Sequence, residues 1–281
     1  VVVTTDPIKQ LTPPSKWILD CDVIAVTELS SDIYLMRLHG SEIANNASPG
    51  QFVNLRLGSS GGSPFLRRPF SVCRRRVADG WFEILWKVVG EGTAKMAAFK
   101  PNMTVNVIGP LGRGYHWKES LEHAILVAGG IGVAPLPFLC EELTARNKKV
   151  IAYLGAQNVE QLVMSDFFES LASETVLVTD DGSLGKKGLV TVPLINYLSH
   201  SNDLKNTAIF SCGPSGLLSA ISGICDNFNV SGQVAIETIM GCGFGVCVGC
   251  PVQTRASSSD KKSFKLTCID GPVFDTRESI V

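Results

Sequence analysis

No apolar run in this chain reaches the roughly 18 residues that a membrane-crossing helix needs, so no membrane span is expected. An excess of one charge is also missing. The 25 Lys and Arg stand against 26 Asp and Glu, for a formal net charge of −1. Basic residues dominate no long stretch, which argues against a nucleic-acid footprint. The short run Arg74, Arg75 and Arg76 reads as a solvated loop. Val1 to Pro14 lacks the charged, apolar and small-residue succession of a secretory signal. With Pro7, Pro13 and Pro14 inside it, segment 1–16 reads as a lead-in. There are no internal repeats, and no eightfold alternation of strand and helix signals.

The 281 residues suffice for two ordinary domains and a small appendage, and a hydrophobic content of 45% supplies their cores. Residues 17–110 hold short β-branched stretches at Trp17–Thr27, Ile33–Leu38, Gln51–Leu57, Pro69–Cys73, Trp81–Val88 and Thr104–Ile108, punctuated by Gly and Pro. This spacing predicts a small antiparallel barrel. Beyond residue 120 the pattern changes. Strand signals at His123–Ala128, Val150–Leu154, Val176–Val178, Ala208–Ser211 and Val234–Ile236 alternate with helix signals at Pro135–Asn147, Leu162–Leu171, Val190–Leu198 and Ser215–Cys225. That alternation predicts a doubly wound parallel sheet, so the fold class is β + α/β.

Nine cysteines do not suit a simple disulfide framework. Cys21, Cys73, Cys140, Cys212 and Cys225 are scattered, as buried small hydrophobes usually are. The other four follow Cys242-x4-Cys247-x2-Cys250-x17-Cys268. The first three cysteines match the spacing of a plant-type 2Fe-2S site. Gly241, Gly243, Gly245 and Gly249 permit the close wrapping of backbone around sulfur that such a cluster needs. Zinc is the rival reading, but it prefers paired tight knuckles and only Cys247–Cys250 forms one.

Two further pieces suggest phosphate-bearing ligands. Arg68-Pro69-Phe70-Ser71 on a barrel strand offers a cation for a pyrophosphate and a hydroxyl for a ring; its bland alternative is an edge strand opening with Pro. Gly92 and Thr93 precede a helix expected over Ala94–Phe99 and would present N–H groups and a hydroxyl at its start; the alternative is a plain Thr cap. Gly129-Gly130-Ile131-Gly132 joins a strand to a helix, as a pyrophosphate-binding turn or as a tight βα turn.

Together Arg68–Ser71, Gly92-Thr93 and Gly109-Pro110-Leu111-Gly112 resemble the flavin half of the ferredoxin–NADP reductase superfamily. Val127–Pro135 and Cys212-Gly213-Pro214 resemble its nucleotide half. Within that superfamily, Thr179-Asp180-Asp181-Gly182-Ser183-x-Gly185, the stretch from Glu237 to Cys250, and Asp270-Gly271-Pro272-Val273-Phe274 resemble the electron-transfer subunits of class 1B dihydroorotate dehydrogenases. The resemblance covers about residues 17–277, with Phe70, Leu217 and a slightly long gap before Cys268 as departures.

The resemblance implies a division into an FAD-binding barrel at 17–115, an NAD-binding Rossmann-like domain at 116–236 and a 2Fe-2S segment at 237–281. It implies FAD contacts from Arg68, Pro69, Phe70, Ser71, Leu85, Trp86, Lys87, Gly92 and Thr93. Nucleotide contacts would come from Gly129, Gly130, Gly132 and Cys212, and cluster ligation from Cys242, Cys247, Cys250 and Cys268. Cys212 reads equally well as a core thiol. NAD is favoured over NADP because 154–160 carries no cation to meet a 2′-phosphate. The chain would be cytoplasmic and would act in pyrimidine biosynthesis, passing electrons from an FMN-containing dihydroorotate dehydrogenase catalytic subunit, in a heterotetramer, through 2Fe-2S and FAD to NAD+. The alternative partner is a hydrogenase or a ferredoxin-linked transhydrogenase.

Overall fold

The computed structural model describes residues 16–58, 62–201, 204–254 and 263–278. The first fifteen residues of the lead-in and the polar stretch Ser257–Asp260 lie outside that description.

Six strands close a barrel: β1 (Trp17–Ser30), β2 (Ile33–His39), β3 (Phe52–Arg56), β4 (Arg68–Arg76), β5 (Trp81–Lys87) and β6 (Thr104–Leu111), in the order β1-β2-β5-β4-β3-β6. All neighbours pair antiparallel. A closed barrel has no edge, so Pro69 does not open an edge strand; it sits opposite Asn54 of β3. A short α1 (Ser41–Asn46) lies between β2 and β3, and α2 (Glu91–Ala97) between β5 and β6.

The basic run is not a loop. Arg74, Arg75 and Arg76 form the end of β4, and the first two reach across to the next domain. Charge alternation alone could not reveal this, because their acidic partners lie about 67 residues further along the chain.

The second layer is a seven-stranded sheet. It contains β7 (His123–Gly129), β8 (Lys149–Ala156), β9 (Glu174–Thr179), β10 (Lys186–Lys187), β11 (Thr207–Cys212), β12 (Ser231–Ala235) and β15 (Val273–Asp275), in the order β10-β9-β8-β7-β11-β12-β15. All pairs are parallel except β12 with β15. The connecting helices are α3 (Leu136–Ala145), α4 (Ser165–Leu171), α5 (Thr191–His200) and α6 (Ser215–Phe228). The order reverses between β7 and β11, which opens a crevice at their carboxyl ends. A hairpin, β13 (Pro251–Thr254) with β14 (Ser263–Leu266), completes the structure.

Several boundaries moved for local reasons. The helix expected from Leu162 begins at Ser165, because Met164 takes a left-handed φ of 67°. The residues before it form a 3-10 turn, Val159–Gln161, capped by the Asn158 side chain. Helix α6 continues to Phe228 and stops at Asn229, φ 50°. The strand expected at Val234 starts at Ser231, and β15 joins beyond it.

The two domains share their cores. Phe138 of α3 is 1% exposed and buried with the barrel residues Met36, Phe82 and Val72. Conversely Ile33, Cys73 and Leu85 of the barrel lie in the core built around Leu136, Leu139 and Leu154. Burying a ring such as Phe138 stabilises this junction by about 1.5–3 kcal/mol. The scattered thiols behave as small hydrophobes. Burial pushes Cys21 and Cys140 up to about 12 and Cys225 up to about 11.

Candidate functional site

Strand β4 begins with the candidate flavin residues. Arg68, Pro69, Phe70 and Ser71 are all half-buried, whereas Val72 and Cys73 beyond them are fully buried. A filled barrel strand alternates; here four consecutive side chains are instead neither buried nor fully exposed. Helix α2 closes against its start. A Cβ on Gly92 would lie 3.6 Å from Arg68 Cγ, so the first turn of α2 stands beside the Arg68 side chain. The Arg68 guanidinium donates to the carbonyls of Leu66 and Arg67.

The helix starts at Glu91, three residues before Ala94, so Gly92 and Thr93 belong to its first turn rather than to its cap. The Thr93 hydroxyl accepts from Val89 and Gly90 N–H and donates to Gly90 O. It is thereby committed to closing the loop, and a phosphate here would meet main-chain N–H groups. Leu85 and Trp86 are 3% and 2% exposed. The Trp86 ring stacks on Tyr34 and donates to Thr93 O, so it braces α2 from inside the barrel. Lys87 is half-buried at the end of β5. The cation, the half-buried start of β4 and the glycine-lined helix start fit an FAD pyrophosphate and ring.

The nucleotide crevice is lined from both sides of the strand reversal. Ala128 and Cys212 are register partners at the ends of β7 and β11. Each glycine of the turn has its own reason. A Cβ on Gly132 would fall 2.5–2.6 Å from the Cys212 carbonyl and Gly213 Cα, so only glycine lets the turn approach β11. At Gly129 it would meet Leu217 and Pro214 at 2.9 Å. Gly130 has φ +55° and nothing within 4 Å of its would-be Cβ, so its main chain faces open space. That bare backbone at a strand reversal fits a dinucleotide pyrophosphate. Burial, and after it the Glu237 carboxylate, push the Cys212 thiol up to about 12, so it stays protonated. Loop 154–160 carries no cation, but the fold lays Lys187 of β10 alongside Gly182 on the β9 side, a neighbour the loop's own sequence did not show.

The four C-terminal cysteines come together as two pairs. Cys242 N–H points at Cys247 Sγ and Cys247 N–H at Cys242 Sγ, each at 3.4 Å. Cys250 Sγ lies 3.2 Å from Cys268 Sγ. Gly249 N–H adds a second donor to Cys247 Sγ at 3.4 Å. A Cβ on Gly241 would crowd the same sulfur at 3.3 Å. Gly243 and Gly245 take φ +82° and +92°, turning the loop around the sulfurs. Burial pushes Cys242 up, but N–H groups of Cys247, Phe244 and Val246 and the Cys247 side chain outweigh it and hold the thiol down at about 6. Burial and Cys250 push Cys268 up to about 12.

Among the described residues no three His, Cys, Asp or Glu groups close around a single ion. A two-by-two thiol set with N–H groups aimed at sulfur fits a binuclear iron–sulfur cluster better than one tetrahedral zinc.

One residue tied to this region escaped the sequence reading. Asn54 of β3 is 1% exposed, and its Nδ2 donates to Cys242 O at 2.8 Å. A lone Asn in an apolar strand gives no signal of its own. Its effect is to fasten the cluster loop to β3, the strand beside β4. On the other flank of β4, β5 touches the 3-10 turn Gly130–Val133. The order across the barrel wall is therefore nucleotide turn, β5, β4, β3, cluster loop.

The chain matches the family described as the oxidoreductase FAD-binding domain over residues 20–116. The oxidoreductase NAD-binding domain matches over 126–223, and the iron–sulfur cluster binding domain of dihydroorotate dehydrogenase B over 237–279. It is 38% identical over 258 residues to the electron transfer subunit of dihydroorotate dehydrogenase B (NAD(+)) from Desulforamulus reducens, covering 92% of this chain and 96% of the relative. The Fusobacterium nucleatum counterpart is 36% identical, with 91% and 95% covered. Among solved structures, one of an NADH-dependent reduced ferredoxin–NADP oxidoreductase superimposes with a TM-score of 0.81 at 28% identity, covering 92% of this chain and 89% of that one. A ferredoxin reductase of carbazole 1,9a-dioxygenase shares the fold, with a TM-score of 0.64, 18% identity and coverage of 76% and 67%.

Proposed function

This chain belongs to the family of electron transfer subunits of NAD(+)-linked dihydroorotate dehydrogenase B, and we propose that it carries electrons from an FMN-containing catalytic subunit to NAD+ in cytoplasmic pyrimidine biosynthesis. The observation that carries this reading is the spatial order across the barrel wall, with the flavin strand between the nucleotide turn and the cluster loop. A relay needs its two-electron partner on one side of the flavin and its one-electron carrier on the other.

In this reading Cys242, Cys247, Cys250 and Cys268 hold a 2Fe-2S cluster, while Arg68, Pro69, Phe70, Ser71, Lys87 and Gly92 contact FAD. Leu85, Trp86 and Thr93 shape its seat from behind. Gly129, Gly130, Gly132 and Cys212 border the nicotinamide nucleotide, with NAD preferred to NADP. When bound, the flavin supplies the exchange between paired and single electrons. The chain's own residues bind and orient. Arg68 neutralises phosphate, the bare Gly130 backbone admits the pyrophosphate, and loop N–H groups stabilise charge on sulfur.

Ile239, Val246, Val248 and Phe264 are 90%, 75%, 61% and 57% exposed around the cluster segment. Such an apolar rim suits a protein partner. We assign the catalytic subunit to this face, in a heterotetramer. Among the described residues no helix is long and apolar enough to cross a membrane.

The test is reconstitution. The isolated chain should reduce artificial acceptors with NADH, more efficiently than with NADPH, and should not oxidise dihydroorotate. Adding the FMN subunit should create NAD-linked dihydroorotate oxidation, and Cys247→Ser should break that coupling while NADH still reduces the flavin. Dihydroorotate oxidation by the isolated chain would overturn the division of labour. The structural likeness to a ferredoxin–NADP oxidoreductase favours one second reading, a ferredoxin-linked partner; co-purification with that partner and no orotate formation would select it.

A further inference from the structure

Strand β4 carries two sets of groups. Its first half is the candidate flavin seat. Its second half turns outward to α3, the helix that begins just after the nucleotide turn. Arg74 Nε and Nη2 lie 2.9 and 2.8 Å from Glu141 Oε1. Arg74 Nη1 is 3.6 Å from Oε2 of Glu83, a carboxylate 1% exposed whose Oε1 Arg37 holds at 2.7 Å. Arg75 Nη2 reaches Glu142 Oε1 at 3.3 Å, and its Nη1 donates to Ala44 O at 2.9 Å. Each guanidinium also lies 4.9 Å from the centre of a ring of the nucleotide domain, Arg74 over Phe167 and Arg75 over Phe138. The four interdomain side chains are 20–30% exposed.

Apolar burial holds the domains together but is non-directional. On its own, the Phe138 contact lets α3 slide or pivot on the barrel. Charge-assisted hydrogen bonds from a planar guanidinium have a preferred direction and set a register. These pairs are partly buried, so salt screens them less than surface pairs. Any shift of α3 along β4 carries the Gly130 turn with it and changes the spacing between the two cofactor seats. Hydride transfer is steeply sensitive to that spacing.

We propose that Arg74, Arg75, Glu141 and Glu142 are positioning residues for hydride transfer. They form an ionic latch between β4 and α3 that sets where the nicotinamide stands against the flavin. The inference rests on the reading that NADH reduces FAD bound to this chain. In that step NADH loses a proton with two electrons and becomes NAD+, and the flavin takes all three particles.

The experiment uses the FAD- and cluster-loaded full chain. The double variant Glu141→Gln/Glu142→Gln changes two partly buried side chains on α3. It should keep its FAD and bind NADH with nearly unchanged affinity. Its limiting rate of flavin bleaching at saturating NADH should fall on the order of tenfold, and amide hydrogen exchange in residues 112–117, between β6 and β7, should quicken. Arg75 and Glu142 are the pair for a double-mutant cycle, because Arg74 also faces the buried Glu83, whereas the other partner of Glu142, Arg146, lies one turn on along the same helix and stays with it. With both replaced by Gln, the rate loss should be no greater than with one. Additive losses, an unchanged limiting rate, or a rate loss that merely tracks lost FAD would overturn the latch. Wild-type flavin that NADH cannot reduce would overturn the functional reading and the latch's role with it; normal wild-type reduction with an unaffected variant overturns the latch alone.

Discussion

The nucleotide turn and the cluster loop are built on opposite principles. The turn Gly129–Gly132 sits at the ends of two largely buried parallel strands, and at two of its glycines a Cβ would meet neighbours at 2.5–2.9 Å. Its shape is set by the sheet before any ligand arrives. The loop from Gly241 to Gly249 has no regular secondary structure, takes positive φ at Gly243, Gly245 and Val248, and leaves Cys247 exposed. Its order rests on Asn54, a few sulfur contacts and the apolar anchors Met240 and Cys250. A preformed seat tolerates loss of its ligand. A loop with few buried side chains takes much of its stability from the metal it binds.

The strongest way to break this comparison is to remove the cluster. Cys250→Ser, or anaerobic chelation of the iron, should abolish the iron–sulfur EPR signal and sharply raise hydrogen exchange and protease cleavage over 237–250. Exchange in β7 and β11 should stay as it was. Equal loosening of both regions would erase the contrast.

Next comes Gly132→Ala. The new methyl would overlap three main-chain atoms, none of which can swing away. A destabilisation of about 3 kcal/mol is expected, read as a lower urea midpoint. Gly130→Ala sharpens the point, since it meets no clash and suffers only its positive φ, about 1–2 kcal/mol. Its larger consequence should be a raised KM for NADH. If Gly130→Ala lost more stability than Gly132→Ala, the assignment of the two glycines would be reversed.

Arg68→Ala should weaken FAD binding by about 1.5–3 kcal/mol, the size of one charge-assisted contact. FAD content after dialysis measures it, and full retention would remove Arg68 from the seat. The smallest effect belongs to Asn54→Ala. Losing one neutral hydrogen bond to Cys242 O should cost about 1 kcal/mol. It should appear as faster exchange at residues 241–244 with the barrel unaltered. No change there would mean that the loop holds itself.

The sequence reading reached different depths in these regions. Alternating β-branched stretches sufficed for all six barrel strands because each strand's pattern is local. It missed α1 and β15, elements of six and three residues too short to leave a periodic trace. It placed the start of α2 three residues late, because Gly90, Glu91 and Gly92 resemble a turn more than a helix start. Of the two tasks expected for Thr93, its hydroxyl takes the capping one, since it is taken up by the loop before the helix.

The sequence by itself determined which chemistry was available. The cysteine spacing, the glycines between the thiols and the Arg-Pro-Phe-Ser stretch are written in consecutive residues, and they offer candidate donors without any fold. Only the tertiary structure decided how those donors are arranged. It paired Cys242 with Cys247 and Cys250 with Cys268, set the flavin strand between the nucleotide turn and the cluster loop, and turned a run of three arginines from a solvated loop into part of a domain junction. The physical reason is separation along the chain. Asn54 meets Cys242 across 188 residues and Arg74 meets Glu141 across 67. Contacts of that span follow from barrel closure and strand order, which depend on every element packing at once.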